Sequence, residues 1–241
     1  GTGGVSMVGT ATFGSLSIAL GETFTLGGAT ASTLTITGAR ANAGTLAFQS
    51  TAAVPASLSL GANSSNSGTL TMGASNAAGT ATLSMANGTT LNNAGGTIRV
   101  SASAGAVTLS SPGTFTLTGN QLDLNGLTLR VSGFSSPVAH TLDPSDVLIL
   151  TGTASFGGVL TLNGAGSQIQ VGAQTLNATG SLAVTIGTVT ATTGTVNTGG
   201  AALTTTAGTG SVAFSGAGAL TTGAVTNAGT ITLAGGTAST G

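Results

Sequence analysis

Charged side chains are scarce in this 241-residue chain: they make up 3% of the residues, and the formal net charge is -1. Ordinary soluble domains carry about 25% charged residues. The three cations, Arg40, Arg99 and Arg130, lie far apart in the sequence. Clustered cations are what neutralise the phosphates of nucleic acid or hold a protein on an anionic membrane. We therefore expect no nucleic-acid partner and no electrostatic attachment to a membrane.

Cysteine, tryptophan and tyrosine are absent, and only 3% of the residues are aromatic. Without cysteine, the chain has neither disulfides nor a catalytic thiol. The longest dense apolar run is 147–150, far short of the roughly 18 residues that a spanning helix needs, so we expect no transmembrane segment. Because the chain begins with Gly1 rather than Met, we expect it to be a mature or excised part of a longer product.

Short alternating segments fill the sequence instead. Examples are Thr33-Leu34-Thr35-Ile36, Thr69-Leu70-Thr71-Met72 and Thr230-Ile231-Thr232-Leu233. A period of two places the apolar pair on one face of a strand and the hydroxyl pair on the other. No window keeps apolar residues at the helical spacing of 3.6. The pattern predicts an all-β protein.

The spacing of these segments predicts how they are arranged. Apolar residues recur every 12 positions at Leu34, Leu46, Leu58 and Leu70, and every 7 or 8 positions at Val107, Phe115, Leu122 and Leu129. Two strands at the first spacing, or three at the second, give a coil of about 22 to 24 residues, which predicts a parallel β-solenoid. Both cross-sections remain open, and antiparallel β-sandwich domains are the alternative fold.

A recurring Asn-x-Gly-Thr string precedes many strands, as in Asn42-Ala43-Gly44-Thr45, Asn66-Ser67-Gly68-Thr69 and Asn227-Ala228-Gly229-Thr230. Asn and Gly both tolerate a positive φ, so we expect them to turn the chain before Thr starts the next strand. The pairs Asn87-Gly88 and Asn125-Gly126 predict similar turns.

These strings resemble the β-strand repeats of large bacterial surface proteins, the filamentous-haemagglutinin-like exoproteins and autotransporter passengers. The resemblance rests on 226–233, 91–98 and 67–72 in particular and extends over most of the chain. It implies a right-handed parallel β-helix that is secreted, long, and adhesive or structural.

Ionisable residues concentrate around one segment. We expect a first solenoid part at 1–132, a loop or break at 133–146, and an uncharged second part at 147–241 that continues the first. His140, Asp143 and Asp146 lie in that loop and are the only candidate metal ligands. Calcium prefers several oxygen ligands, and no known calcium motif is present. The pattern favours a turn in which Asp caps backbone amides over a metal site.

Other candidate sites are sparse. Asp123 and Arg130 would have to share a cleft to act as the acid–base pair of a β-helical polysaccharide lyase. His140 has no serine motif around it. The rows Thr33-x-Thr35-x-Thr37, Thr114-x-Thr116-x-Thr118 and Thr188-x-Thr190-x-Thr192 resemble the threonine arrays of ice-binding solenoids, although their irregular spacing argues against a flat array. We assign no catalytic or cofactor-binding residue and expect no enzyme activity.

The function that we expect follows from the stacking of coils in a solenoid. A solenoid ends in open strand edges, which pair with further strands unless they are capped, and neither terminus shows a charged or proline-rich cap. We expect an extracellular or cell-surface structural protein that associates with itself as a segment of a fibre, sheath or stalk. An adhesin passenger that binds polysaccharide or a host surface is the alternative, ahead of an ice-binding module or a lyase.

Overall fold

The structure is a computed structural model that describes residues 3–240. These residues form 29 strands joined by turns, and no helix occurs among them. Strands pair in parallel with the equivalent strands of the neighbouring coils, as in Thr23 with Thr45 and Thr45 with Thr69. This is the parallel β-solenoid that the spacing of the segments predicts, and the alternative of antiparallel β-sandwich domains is wrong. The chain divides into two compact units, Gly1–Phe134 and Ser135–Gly241, called unit 1 and unit 2 below.

Unit 1 contains fifteen strands and most of a sixteenth. They are β1 (Gly4–Met7), β2 (Gly9–Phe13), β3 (Leu16–Ile18), β4 (Thr23–Gly28), β5 (Ser32–Ile36), β6 (Arg40–Asn42), β7 (Thr45–Ser50), β8 (Pro55–Leu60), β9 (Ser64–Asn66), β10 (Thr69–Ala74), β11 (Thr80–Met85), β12 (Thr90–Asn93), β13 (Thr97–Ser103), β14 (Ala106–Gly119), β15 (Leu122–Asp123) and β16 (Thr128–Ser136).

Each coil of unit 1 has three faces. The first face is the six-stranded sheet β1-β4-β7-β10-β13-β15. The second face stacks β2, β5, β8, β11 and the start of β14. The third face stacks β3, β6, β9, β12 and the end of β14. Of the two cross-sections left open by the spacing, the structure has the one with three strands per coil.

The third face departs from the apolar pattern at β6 and β9, because the inward residues of these two strands are polar. In β6 the buried side chains are Arg40 and Asn42, and in β9 they are Ser64 and Asn66. A strand of three residues with no apolar pair looks like a turn in sequence. The 12-residue spacing between the apolar strands therefore gives no sign of the short third strand in each coil.

The core of unit 1 consists of aliphatic ladders that run from coil to coil. On the first face Phe24, Leu46, Leu70, Ile98 and Leu122 pair in turn, and each is buried. The steps along this ladder are 22, 24, 28 and 24 residues. The turns absorb the extra residues, so coils of unequal length keep one register.

The Asn-x-Gly-Thr string turns the chain for a different reason from the one expected. Gly44 and Gly68 do not have positive φ values, whereas Gly88, Asn125 and Gly126 do, at 73°, 56° and 71°. A Cβ on Gly68 would lie 2.1 Å from the carbonyl oxygen of Gly44. Glycine is required in the string because two successive coils touch there, and positive φ explains only the Asn-Gly pairs.

Unit 2 contains the remaining strands. They are β17 (His140–Leu142), β18 (Val147–Leu150), β19 (Ala154–Phe156), β20 (Leu160–Gly172), β21 (Thr175–Ala178), β22 (Leu182–Ala191), β23 (Thr195–Asn197), β24 (Leu203–Thr205), β25 (Gly210–Phe214), β26 (Ala219–Thr222), β27 (Val225–Asn227), β28 (Thr230–Leu233) and β29 (Thr237–Thr240).

Unit 2 repeats the three-faced coil. One face stacks β17, the start of β20, the start of β22, β24 and β27. The next stacks β18, the ends of β20 and β22, β25 and β28. The last stacks β19, β21, β23, β26 and β29. The interior is again aliphatic, as in the buried residues Leu160, Leu182 and Leu203.

Strand structure extends into the segment 133–146, where the sequence predicts a loop or break. Residues 133–136 end β16, and β17 occupies 140–142, so only 137–139 and 143–146 turn. Phe134, Ser136, His140 and Leu142 are buried. Alternation thus continues through the segment, with a serine and a histidine at two of the inward positions.

Candidate functional site

His140, the first candidate metal ligand, lies inside unit 2. Its Nε2 atom is 2.9 Å from Ser136 Oγ, and its ring packs edge-on against Phe156 at a centroid distance of 5.2 Å. The side chain is 4% exposed. Burial disfavours the charged imidazolium and lowers the pKa of His140 to about 4. The imidazole is therefore neutral at pH 7 and forms part of the core.

Asp143 and Asp146 flank a tight turn. Asp146 N donates to the carbonyl of Asp143 at 3.1 Å, and Asp143 N donates to Asp146 Oδ2 at 2.9 Å. Pro144 and Ser145 are the central residues, and Ser145 has a φ of 68°. Asp146 is buried and Asp143 is exposed. No group of three His, Asp or Glu residues within 3–240 comes together to hold a metal ion.

Asp123 and Arg130, the candidate lyase pair, lie in different sheets. Asp123 is in β15 on the first face of unit 1, where its Oδ2 atom accepts a 2.6 Å hydrogen bond from Arg99 Nε. Arg130 is in β16, which belongs to the other sheet. The structure pairs Asp123 with Arg99 and does not assemble an acid–base site with Arg130.

The threonine rows differ in where they lie. Thr33 and Thr35 stand on the second face of unit 1, Thr116 is on the third face, and Thr188 is in unit 2. Only the first row belongs to a large hydroxyl array. That array, the hydroxyl face, has two columns across five coils. Its members are Thr10, Thr33, Ser57, Thr82 and Thr108 in one column and Thr12, Thr35, Ser59, Ser84 and Ser110 in the other.

Irregular spacing in sequence does not disturb these columns. Thr10, Thr33, Ser57, Thr82 and Thr108 follow each other at steps of 23, 24, 25 and 26 residues, yet each pairs with the next. The argument from spacing against an array is therefore wrong. Adjacent coils lie about 4.8 Å apart, and side chains two residues apart on a strand about 6.8 Å apart. The result is a regular, uncharged grid of ten hydroxyls.

The last coil of unit 2, formed by β27, β28 and β29, is called the terminal coil below. Within the described residues, β27, β28 and β29 pair only with β24, β25 and β26. Val225 is 44% and Leu233 is 36% exposed. A groove of about 600 Å³ lies there, lined by Leu220, Val225, Ile231 and Ala238 among others.

The first coil of unit 1 also pairs on one side among the described residues. In the part of the chain that the structure describes, β1, β2 and β3 pair only with β4, β5 and β6. Val5, Val8 and Leu20 are exposed. Phe13, Ile18 and Phe24 line a groove of about 450 Å³ at this end. Apolar side chains are therefore exposed in both of these coils.

Comparison with known protein families, curated proteins and solved structures finds no match for this chain. None of the residues 3–240 belongs to a helix long and apolar enough to span a membrane.

Proposed function

We propose that this chain is an extracellular structural protein, a self-associating segment of a fibre, sheath or surface stalk whose coils stack end to end. The observation that carries the proposal is the terminal coil, whose strands pair on one side only among residues 3–240. Among these residues, the other edge carries N–H and C=O groups with no strand beside them, next to exposed Val225 and Leu233. Such an edge is a template for a further strand.

Stacking another coil on this edge would satisfy both kinds of exposed group. Each new backbone hydrogen bond contributes about 0.5–1.5 kcal/mol net. Covering Val225 and Leu233 adds apolar burial at about 25 cal/mol per Å². A solenoid coil is stable only between neighbours, because one coil alone buries too little to offset its conformational entropy.

Charge does not oppose this association. Residues 147–241 contain no Asp, Glu, Lys, Arg or His. The only acidic residues of unit 2 are Asp143 and Asp146, which precede this stretch. Copies that meet at the terminal coil therefore experience little long-range repulsion, and added salt has little to screen. We expect assembly to depend weakly on ionic strength. The extracellular location is supported by the solenoid fold together with the resemblance of the repeats to bacterial exoproteins.

The test compares two lysine-bearing variants with equal added charge. Val225→Lys with Leu233→Lys places charges on the terminal coil, where a stacked coil would bury them. Thr82→Lys with Thr190→Lys places them on outward positions in the middle of each unit. Light scattering and electron micrographs of the purified chain report filaments directly.

We expect the wild-type chain and the mid-unit variant to form filaments and the terminal-coil variant to stay monomeric. Loss of filaments only in the mid-unit variant would show lateral association in place of end-to-end stacking. A wild-type chain that remains monomeric at high concentration would overturn the proposal.

Ice binding is a second candidate function because the hydroxyl face is a regular grid. The face resembles the Thr-x-Thr arrays of ice-binding solenoids, and its ten hydroxyls occupy consecutive coils. Thermal hysteresis of the purified protein is the direct measurement. We expect Thr82→Lys on the hydroxyl face to abolish it and Thr71→Lys on the first face to leave it unchanged. Absence of hysteresis in the wild-type chain would exclude this function.

A further inference from the structure

Arg40 is the largest fully buried side chain of the protein. It is the first residue of β6 and is 1% exposed. Its register neighbours are Leu16 in the preceding coil and Ser64 in the following one. The guanidinium thus occupies an inward position where other ladders of unit 1 carry aliphatic residues.

Its hydrogen bonding is incomplete. Nη2 donates to the carbonyl of Ser65 at 3.4 Å, while Nε and Nη1 have no partner and are inaccessible to solvent. Desolvation lowers the pKa of Arg40 to about 10, so the group is still charged at neutral pH. Buried cations are normally paired with anions, and an orphaned donor of this kind indicates a strained or ligand-binding group.

Arg40 also lines a surface cavity of about 380 Å³. The cavity is formed by three aligned segments, 15–17, 39–41 and 63–65, one from each of three successive coils. Ser17, Ala41 and Ser65 point outward and are small, so the cavity is a trough along the stacking direction. Its lining contains serine hydroxyls and the Asn63 amide but no acidic residue.

We propose that this trough binds the carboxylate or sulfate groups of an acidic polysaccharide, with Arg40 as the cationic anchor. A guanidinium presents a planar fork of donors that matches an oxyanion in a bidentate pair. The guanidinium would leave its inward position for the trough, where Nη1 and Nη2 would form that pair and Nη1 would gain a partner. The serine hydroxyls are suited to the sugar's own hydroxyl groups, and the trough spans about 10 Å over three coils, enough for more than one sugar unit.

This inference is independent of the proposed fibre, because it uses one side of unit 1 and not the terminal coil. The probes are an oligogalacturonate, a neutral oligosaccharide of equal length, and inorganic sulfate, with sodium chloride matching the ionic strength. Binding is measured by calorimetry and by the ligand-dependent rise in Tm. Arg40→Met removes the anchor, and Arg130→Met is the control with the same change in charge.

We expect the oligogalacturonate to bind the wild-type chain and Arg130→Met, and its affinity to fall at least about 30-fold in Arg40→Met. Ala41→Glu is a second variant that leaves the interior intact and places a carboxylate in the trough. It should block binding while the protein remains folded by circular dichroism. It also keeps the proposal testable if Arg40→Met fails to fold.

Three results would overturn the proposal. Equal binding of the neutral oligosaccharide would show that the anion is not recognised. Unchanged affinity in Arg40→Met or Ala41→Glu would place the ligand elsewhere. Binding of sulfate as tight as that of the oligogalacturonate would indicate an adventitious ion only.

Discussion

Units 1 and 2 build the same three-faced coil but place their amide ladders on opposite sides of the sheet. In unit 1, Asn42 donates to Asn66 and Asn66 donates to Asn93, both at 2.7 Å, and all three side chains are buried. In unit 2, Asn177 donates to Ser155 at 3.3 Å and Asn197 donates to Asn177 at 3.4 Å on an outward, half-exposed column.

This difference shows that burial, and not the residue type, decides how much an amide ladder contributes to stability. A buried amide that loses its partner has no water to replace it, so the interior ladder of unit 1 specifies register. Water competes for the same bonds on the surface of unit 2. In its interior, unit 2 uses hydroxyls instead, as in Thr198 and Thr222 with oxygens 3.2 Å apart.

The largest loss of stability should come from replacing a glycine at a coil contact, and it should occur in both units. In each unit, glycine permits the backbones of successive coils to touch. A Cβ would lie 2.1 Å from the Gly44 carbonyl at Gly68 and 1.9 Å from the Val184 carbonyl at Gly210. We expect Gly68→Ala and Gly210→Ala each to lower the free energy of unfolding by more than about 3 kcal/mol, because backbone must move. Denaturant unfolding is the measurement.

Gly14→Ala is the matched control, because no atom lies within 4 Å of its Cβ and its φ is not positive. Its effect should be small. If Gly68→Ala or Gly210→Ala proved as mild as this control, close coil contact would not be what the glycine in that unit provides.

The two ladders themselves supply the next prediction. Asn66→Ala removes the donor to Asn93 Oδ1 and one of the two acceptors of Asn42 Nδ2, so we expect the free energy of unfolding to fall by about 2–4 kcal/mol. Asn177→Ala in unit 2 should cost less than about 0.5 kcal/mol, because water replaces the missing bonds. Equal losses in the two variants, measured by denaturant unfolding, would contradict the contrast between interior and surface.

Acid should distinguish the units through His140. Its pKa is 6.5 in the unfolded chain and about 4 in the fold, so between these values the unfolded state binds more protons. The contribution of His140 to the free energy of unfolding is therefore fully present above pH 6.5 and is lost as the pH drops toward 4. The loss is about 1.4 kcal/mol per pH unit and about 3 kcal/mol in total. Hydrogen exchange of β17 amides across this range is the measurement.

His140→Gln is the control for acid sensitivity, because glutamine can still bond Ser136 but does not titrate. The difference between the two pH profiles isolates His140 from the carboxylates. If the pH profile of the wild-type chain matched that of the variant between pH 4 and 6.5, the buried imidazole would not be the cause of the loss of stability in acid.

The smallest effect concerns the exposed ion pair of unit 1. Arg99 and Asp123 are 50% and 36% exposed, so solvent and salt screen their attraction. We expect Arg99→Ala to change the free energy of unfolding by less than about 1 kcal/mol, with the effect shrinking as sodium chloride is added. A large, salt-independent loss would show that the pair acts as a buried one.

Alternation in the sequence predicted the strands because inward residues such as Leu34 and Leu58 repeat at period two with hydroxyls between them. The same rule failed at β6 and β9, where the inward residues are polar and only pairing with other coils identifies a strand. The hydroxyl face was hidden for a related reason. Its members are 23 to 26 residues apart, and no fixed period relates them until the turns take up the difference.

The sequence by itself determined the all-β class and the absence of a charged surface, because both depend on local alternation and composition. The spacing of its segments favoured a parallel coil over the antiparallel sandwich. Only the tertiary structure decided that three strands form a coil, that glycine serves coil contact, and that Arg40 is buried without a full set of partners. Those features arise between residues more than 20 positions apart. The stacking of coils brings such residues together, and local sequence propensity does not predict these contacts.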